Sequence, residues 1–476
     1  MKFHELRLPR RWTADISSSP VIRPARAKKA LRVSVWLYLV ALTLTFGYAV
    51  LQSGGIVTED WDRCVVSLGL LVLVYFGLTK KSDLAPALES WLSWPVLLLL
   101  GFIGLQLVPL PASLLQVISP RRAALLRALQ GVSAGIHAAP ISVFPPGTLA
   151  HLLRVASYVA VLVLVRELAW RTLRRRWVVV FPIMVIAGAQ AALGVFQFDW
   201  LTPVSPAHGT YLSGNHFAGL LELSLPFAVV YPIFTIRTRR RSLGSALLTS
   251  ASLALAALIL LGILFSLSRM GFVASVSSLF VVACLTVAMG TSGRKRFAAV
   301  GIVGGAVIAI SLYLIPDPLI YRFDQVVRAS DTTPDPRLWI WKDTWALARD
   351  YPLVGSGLGT FEQAFQKYKT FAPRVAVDSV RNDYLQLLVE LGGFGFTIAA
   401  SAMLVVLVSA ARAVVESVRP ATRYLAVACI GALVAVLVHS LTDYNLYVPA
   451  NAMLLAWISG AVASLDFDSQ ATFISG

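Results

Sequence analysis

The side chains able to do chemistry recur at five places, four of them next to or inside an apolar run and one within a long loop. Gly209 to His216 lead into such a run, and Glu222 lies inside it. Asn215 and Glu222 are seven apart, two helical turns, and therefore share a face, with His216 about 100° away. Asn215 can equally serve as a helix cap and His216 as a residue of the membrane boundary. Phe265 to Gly271 set Arg269 between two apolar runs, flanked by Ser266 and Ser268. A guanidinium at a helix junction suits bidentate capture of phosphate, and the serines add donors. The bland alternative is an arginine that snorkels to the headgroups. Arg337, Lys342 and Arg349 follow. Lys342 and Arg349 share a helix side and read as solvated cations pairing with Asp335, Asp343 or Asp350. Asp383, Gln386 and Glu390 fall at i, i+3 and i+7, a polar stripe running roughly 10 Å along one face. Arg381, Asn382 and Tyr384 surround its start. His439 and Asp443 are four apart and can meet on one helix face, as a proton-transfer pair or a structural one, with Asn445 just beyond.

The elements that must position these residues are membrane helices. Of 476 residues 57% are hydrophobic and only 14% charged, far from the quarter charged that a soluble domain carries. The apolar residues fall into runs of about 20, the length that crosses a bilayer as a helix. Spans are expected near 31–52, 62–79, 91–110, 148–168, 177–197, 215–236, 244–266, 270–290, 297–316, 383–411, 424–441 and 446–464. The fold class is therefore all-α and polytopic, with about twelve transmembrane helices. A charged side chain in hydrocarbon costs about 2.5–3.5 kcal/mol on insertion scales, so the polar clusters must face the bundle interior or a water-filled cavity. Gly392, Gly393 and Gly395 follow the polar stripe and allow close helix approach.

Lys plus Arg number 41 against 24 Asp plus Glu, for a net charge of +17. With twelve spans, 26 of the 41 fall on one side, and the short loops of the other side are nearly free of them. That is the positive-inside pattern. The charge is thus a topology signal, and no nucleic-acid partner is expected. Residues 1–30 form a basic cytoplasmic segment without a signal-peptide core, 31–316 hold nine helices, and 317–382 form a periplasmic cap loop. Residues 383–464 hold three more helices, and 465–476 form a cytoplasmic tail, so both termini are cytoplasmic. The cap is rich in aromatics. Within 337–349, Leu338, Trp341 and Trp345 share one face of an amphipathic helix suited to the membrane–water boundary. Residues 111–147, the other long outside segment, contain a short helical stretch at 121–130. Cys64, Cys284 and Cys429 have no CxxC spacing and support neither a zinc site nor a disulfide framework.

No HExxH, P-loop or GxSxG occurs, which argues against a metalloprotease, an ATP-driven pump or a serine lipase. Neither metal nor cofactor is expected. Arginine, amides and carboxylates gathered at the outer membrane boundary suit a lipid-linked anionic substrate with a sugar headgroup. If the protein is an enzyme, a pre-activated donor such as a lipid diphosphate would supply the driving force, and positioning and electrostatics the catalysis.

At these residues the sequence resembles the O-antigen ligase and polymerase superfamily, integral-membrane glycosyltransferases of GT-C type that use undecaprenyl-diphosphate-linked glycans. The resemblance rests on GTYLSGNHFAG (209–219), SLSR (266–269), RLWIW (337–341) with PLVGSGLGTF (352–361), NDYLQLLVELGGFG (382–395) and HSLTDYNLYVPANA (439–452). It implies arginines that grip the donor diphosphate, here Arg269, Arg337 and Arg381. It also implies substrate contacts from Asn215, Asn382, Tyr384, Glu390, Asp443 and Asn445, in the bacterial inner membrane. Transfer would go, without metal or ATP, to an acceptor glycan or lipid A-core hydroxyl. Much of the family carries a histidine directly before Asn-Asp-Tyr-Leu, thought to activate the acceptor. Here that position is Arg381, which cannot act as a base at neutral pH. Either His216, Asp383 or His439 replaces it, or the diphosphate leaves readily enough to need no strong base, or activity is lost. A transporter of lipid-linked oligosaccharide and a non-catalytic membrane scaffold are the alternatives of other classes.

Overall fold

The computed structural model describes residues 25–81, 84–130, 137–198, 205–238, 240, 242–291, 294–313, 319–320, 336–371 and 377–465. The expected basic segment up to residue 24, the tail from 466, and residues 321–335 of the cap, Asp335 included, lie outside the described residues.

Each expected apolar run coincides with a helix: α1 Ala25–Leu51, α2 Thr58–Leu78 and α3 Ser90–Leu105; then, after α4 Ala112–Ile118 and α5 Pro120–Gln130, α6 Pro145–Arg171. Next come α7 Phe181–Gln197, α8 Gly214–Thr238, α9 Leu243–Phe265, α10 Arg269–Gly290 and α11 Arg294–Tyr313. After the cap helices α12 Pro336–Asp350 and α13 Phe361–Phe365 come α14 Asp383–Glu416, α15 Pro420–His439 and α16 Pro449–Ala463. Seven are long and apolar enough to cross a membrane, and α1, α3, α7, α11 and α16 carry shorter apolar stretches. A two-stranded antiparallel ribbon, Leu110–Pro111 with Ala138–Ala139, is the sheet among the described residues. The chain is an all-α polytopic membrane protein.

Local chemistry sets the helix ends. Proline opens α6, α7, α15 and α16, where its missing N–H is not needed. Ser242, Ser268 and Asn382 cap α9, α10 and α14 by accepting from backbone N–H groups.

Two helices form the centre. The apolar window of α8 is 83% buried and that of α15 72%, against 22–33% for the other long spans. Helices α8, α10 and α15 pack on one another, α9 packs on α8, and α16 wedges against α6. The two most sheltered of the long spans are also the two that carry Glu222 and His439.

Helix α14 is broken at Gly392, whose φ of 66° departs from the helix. The break frees carbonyls within the bundle, and the loop after α12 satisfies them. Ser356 N donates to Val389 O (2.9 Å) and Gly357 N to Glu390 O (3.0 Å), while Gly393 N and Phe394 N donate to Pro352 O and Leu353 O. The glycines expected to allow helix approach thus divide their work. Gly392 and Gly393 receive this loop, and Gly395 alone lies against another helix, at Phe102 of α3.

Helix α12 occupies 336–350 as its periodicity predicts, but with a different inward face. Ile340, Asp343, Thr344, Leu347 and Ala348 are buried, whereas Leu338 and Trp345 are exposed. Trp341 lies between, donating from Nε1 to Val380 O. The polar Asp343 and Thr344 can face inward because Thr370 donates to the Asp343 carboxylate and Thr344 Oγ1 to Ile340 O. Asp350 is held by Tyr368 and Arg121. Lys342 packs over the Trp339 ring.

Candidate functional site

The polar residues of α8, α14, α15 and the turn 440–448 converge at the capped end of the bundle. Helix α15 stops at His439, with Ser440 as its C-cap. The four-residue spacing to Asp443 therefore lies across a turn, and the expected His439–Asp443 pair does not form. Each finds its partner on α8. His439 Nδ1 hydrogen-bonds Glu222 Oε2 at 2.8 Å, both side chains being essentially unexposed. Asn215 donates from Nδ2 to Asp443 Oδ2 at 2.6 Å. Asn215 and Glu222 do share one helix face, as their spacing predicts, but Asn215 lies inside α8 and does not cap it.

His216 is the least satisfied polar group of the cluster. It is 2% exposed, and neither ring nitrogen has a hydrogen-bond partner among the described residues. Its Nε2 lies 3.7 Å from Asp443 Oδ1. The Tyr444 ring covers it edge-to-face at 4.6 Å between centroids, and the Arg381 guanidinium stacks on that same tyrosine at 4.6 Å. Burial alone pushes the Asp443 carboxyl upward. The neighbouring imidazoles, His216 before His439, and the Tyr444 N–H outweigh it and hold Asp443 well below the usual carboxylate range. A continuous run of contacts thus leads from Arg381 through Tyr444 and His216 to Asp443 and Asn215.

Asp383 is sealed beneath. Ser440 Oγ donates to it at 2.7 Å and Leu446 N at 3.2 Å, and its own backbone N–H bonds the carbonyls of Ser440 and Asp443. Asn382 caps α14 and donates to Leu441 O, and Tyr384 donates to Leu437 O. Asn445 accepts from Asn451, which also donates to His216 O and accepts from Tyr211. The polar stripe Asp383, Gln386 and Glu390 is buried throughout. Its far end lies apart from the His216 cluster, because Glu390 accepts from Gly359 N (2.9 Å), Phe361 N (3.0 Å) and Tyr447 OH (2.6 Å). Glu390 thereby anchors the cap loop.

Arg269 begins α10, half-buried. The turn before it packs against the start of α8: a Cβ on Gly214 would meet Ser266 O at 2.8 Å, and one on Gly271 would meet Ala218 at 2.6 Å. Both serines bond within this turn, Ser266 as a donor and Ser268 as an acceptor: Ser266 Oγ donates to Ile263 O, and Ser268 Oγ accepts from Gly271 N. Leu267 and Arg381, in the two cation-bearing segments, hold positive φ of 50° and 58°, the kind of strain that clusters at functional sites. Arg337 stands half-buried in the first turn of α12, which packs on α14.

Sequence reasoning missed three participants. Tyr444 and Tyr447 lie in a segment whose other polar residues drew attention, and only three-dimensional contact singles them out. Gln106, fully buried, bridges Val354 O, Glu390 O and Leu358 N. It ends an apolar run, where a lone amide carries no periodic signal.

A buried carboxylate–imidazole cluster, topped by cations at one end of an all-helical bundle, defines a polytopic membrane protein with a polar site at the membrane boundary. Residues 253–400 match the family model described as O-Antigen ligase. The matched segment runs from within α9 through the cap into α14 and contains Arg269, Arg337, Arg381, Asp383 and Glu390. It supports the resemblance to the O-antigen ligase and polymerase superfamily, and with it a membrane glycosyltransferase-like role in O-antigen biosynthesis. No curated protein matches the chain.

Proposed function

We propose that this protein transfers an undecaprenyl-diphosphate-linked glycan to an acceptor hydroxyl, a second glycan repeat or a lipid A-core sugar, at the periplasmic face of the bacterial inner membrane. The observation that carries the reading is His216: a buried imidazole with unsatisfied nitrogens, beside an ionised Asp443 and beneath an arginine, within reach of a segment that matches the family.

In this reading Arg381 and Arg269 hold the donor diphosphate, with Arg337 approaching from the cap. Arg381 stands where the family histidine is expected, and His216 takes over as base. The acceptor O–H proton passes to a ring nitrogen of His216 as the new C–O bond forms at the anomeric carbon. The bond from that carbon to the phosphate oxygen breaks, and the diphosphate leaves as an anion neutralised by the arginines. Asp443, itself oriented by Asn215, stabilises the imidazolium. Asp383 is a poorer base, because Ser440 and Leu446 already occupy its oxygens. His439 commits Nδ1 to Glu222, while its Nε2 is buried and without a hydrogen-bond partner among the described residues. No metal or cofactor has a part in this reading, and both termini are cytoplasmic in it.

The test is transfer by purified protein in liposomes supplied with the undecaprenyl-diphosphate oligosaccharide and candidate acceptors, with EDTA present. Wild type should transfer. His216→Ala should lower kcat by about 10²–10⁴-fold with donor binding retained. Arg381→Ala and Arg269→Ala should weaken donor binding. Unchanged donor affinity in both arginine variants would remove them from the donor site, and an unchanged rate in His216→Ala would remove the base.

A further inference from the structure

A second polar feature lies on the far side of residues 446–447 from the His216 cluster. A cavity of about 90 Å³ opens between α3, α6 and α14, with apolar walls that include Leu99, Ile103, Leu387 and Leu391. Helix α6 turns one face into it: His151, Arg154, Val155 and Tyr158, at i, i+3, i+4 and i+7. Leu446 and Tyr447 also line it.

Arg154 is unusual in this place. Among the described residues it is the one Lys or Arg lining the cavity, and no carboxylate lines it. Arg154 makes no hydrogen bond or ion pair among the described residues. The nearby Glu390 is already engaged by Tyr447 and the cap loop. His151 bonds the Gly147 carbonyl from Nδ1, which leaves Nε2 for another partner. An arginine within a membrane helix normally faces a partner or a functional path. Its depth is also informative. Arg154 lies about 26 Å along α6 from Arg171, close to the hydrocarbon thickness of about 30 Å. With Arg171 at one hydrocarbon boundary, Arg154 lies just inside the other, within a side chain's reach of that leaflet's phosphates. Leu98, Leu153 and Phe394 on the same three helices are exposed and apolar, as surfaces that face lipid are.

We propose that this cavity binds an anionic membrane phospholipid, its phosphate on Arg154 and the start of one chain between α3 and α14. Charge complementarity selects the anionic headgroup, and the apolar walls take the chain. The site is separate from the donor arginines, since Leu446, whose N–H bonds Asp383, and Tyr447, which bonds Glu390, stand between. A bound lipid therefore braces the segment that carries Asp443 and Tyr444 from behind, without occupying the reacting site.

Native mass spectrometry of protein extracted from bilayers of equal phosphatidylglycerol and phosphatidylcholine tests this. Wild type should retain one phosphatidylglycerol in preference to phosphatidylcholine, and a photoreactive phosphatidylglycerol should label the peptides of α3 and α6 that line the cavity. Arg154→Gln should reduce the preference by about tenfold, and Arg154→Lys should keep most of it. Val155→Phe, which fills the cavity and spares the charge, should lose the retained lipid. Equal retention of both lipids by wild type, labelling elsewhere, or an undiminished preference in folded Arg154→Gln overturns the proposal. Displacement of the phosphatidylglycerol by equimolar undecaprenyl phosphate also overturns it, and assigns the cavity to the donor lipid. The wild-type arms decide the matter even where a variant fails to fold, and none of them depends on glycosyl transfer.

Discussion

Tyr444 holds Arg381 on one face and His216 at its edge, so substitutions there separate two roles. Tyr444→Phe keeps the ring and should leave donor affinity and rate nearly intact. Tyr444→Ala removes the platform, and with it a contact of about 0.5–1 kcal/mol. It should weaken donor binding and unseat His216 together, as measured by KM and kcat in the transfer assay. Acid sensitivity has a defined origin. The Asp443 carboxyl is held below its ordinary value, with burial opposing and His216 favouring the ionised form. Its contribution to stability is therefore complete above about pH 3.9, the unperturbed value, and is lost only as the pH falls further. Any decline in rate between about pH 7 and 5 should not arise from this carboxyl. Asp443→Asn should lower the rate, as kcat in the transfer assay would register. Deeper in the bundle, Glu222→Ala strands His439 in an apolar setting and should cost about 3–5 kcal/mol of stability. Replacing both by leucine should recover most of that loss, as thermal unfolding in detergent would register.

At the level of elements, the join between α14 and the loop 352–357 is tightly constrained. Gly355 holds φ of 73°, and a Cβ there would fall onto the Glu390 carbonyl; one on Gly392 would fall onto the backbone of Leu353. Two backbones meet where any side chain would separate them. Gly355→Ala should lose about 1–2 kcal/mol to the left-handed conformation alone and more to the displaced carbonyl. The expected readout is faster proteolysis within 336–371. Gly301→Ala is the matched control: its added methyl meets nothing, in a regular helix, and it should be neutral or slightly stabilising. Gln106 belongs to the same join, since its amide ties α3 to both backbones.

For the molecule as a whole, the sequence makes the helices legible and leaves their partnerships obscure. Runs of apolar residues near 20 long mark bilayer-length helices, and prolines and serines mark their starts, because those signals are local. The shared face of Asn215 and Glu222 and the buried stripe from Asp383 to Glu390 follow from helical period for the same reason. What local period cannot supply is where a helix stops relative to a polar pair. His439 and Asp443 fit an i, i+4 contact only if α15 continues, and it ends at His439. Their true partners, Glu222 and Asn215, are more than 200 residues away in sequence. The inward face of α12 was obscured differently. Its tryptophans dominate the hydrophobic pattern, yet Asp343 and Thr344 turn inward because Thr370 and the Ile340 carbonyl satisfy them.

The broken α14 also has a meaning for biogenesis. Ser356 and Gly357 leave the ribosome before Val389 and Glu390, the residues whose carbonyls they will bond. Until α14 is threaded, the loop has no partner; until the loop docks, α14 carries unpaired carbonyls that lipid will not satisfy. Cap and helix must therefore mature together at the translocon. An arrest that tethers the chain between the two should yield a precursor open to protease at the cap, however well the first eleven helices have inserted and packed.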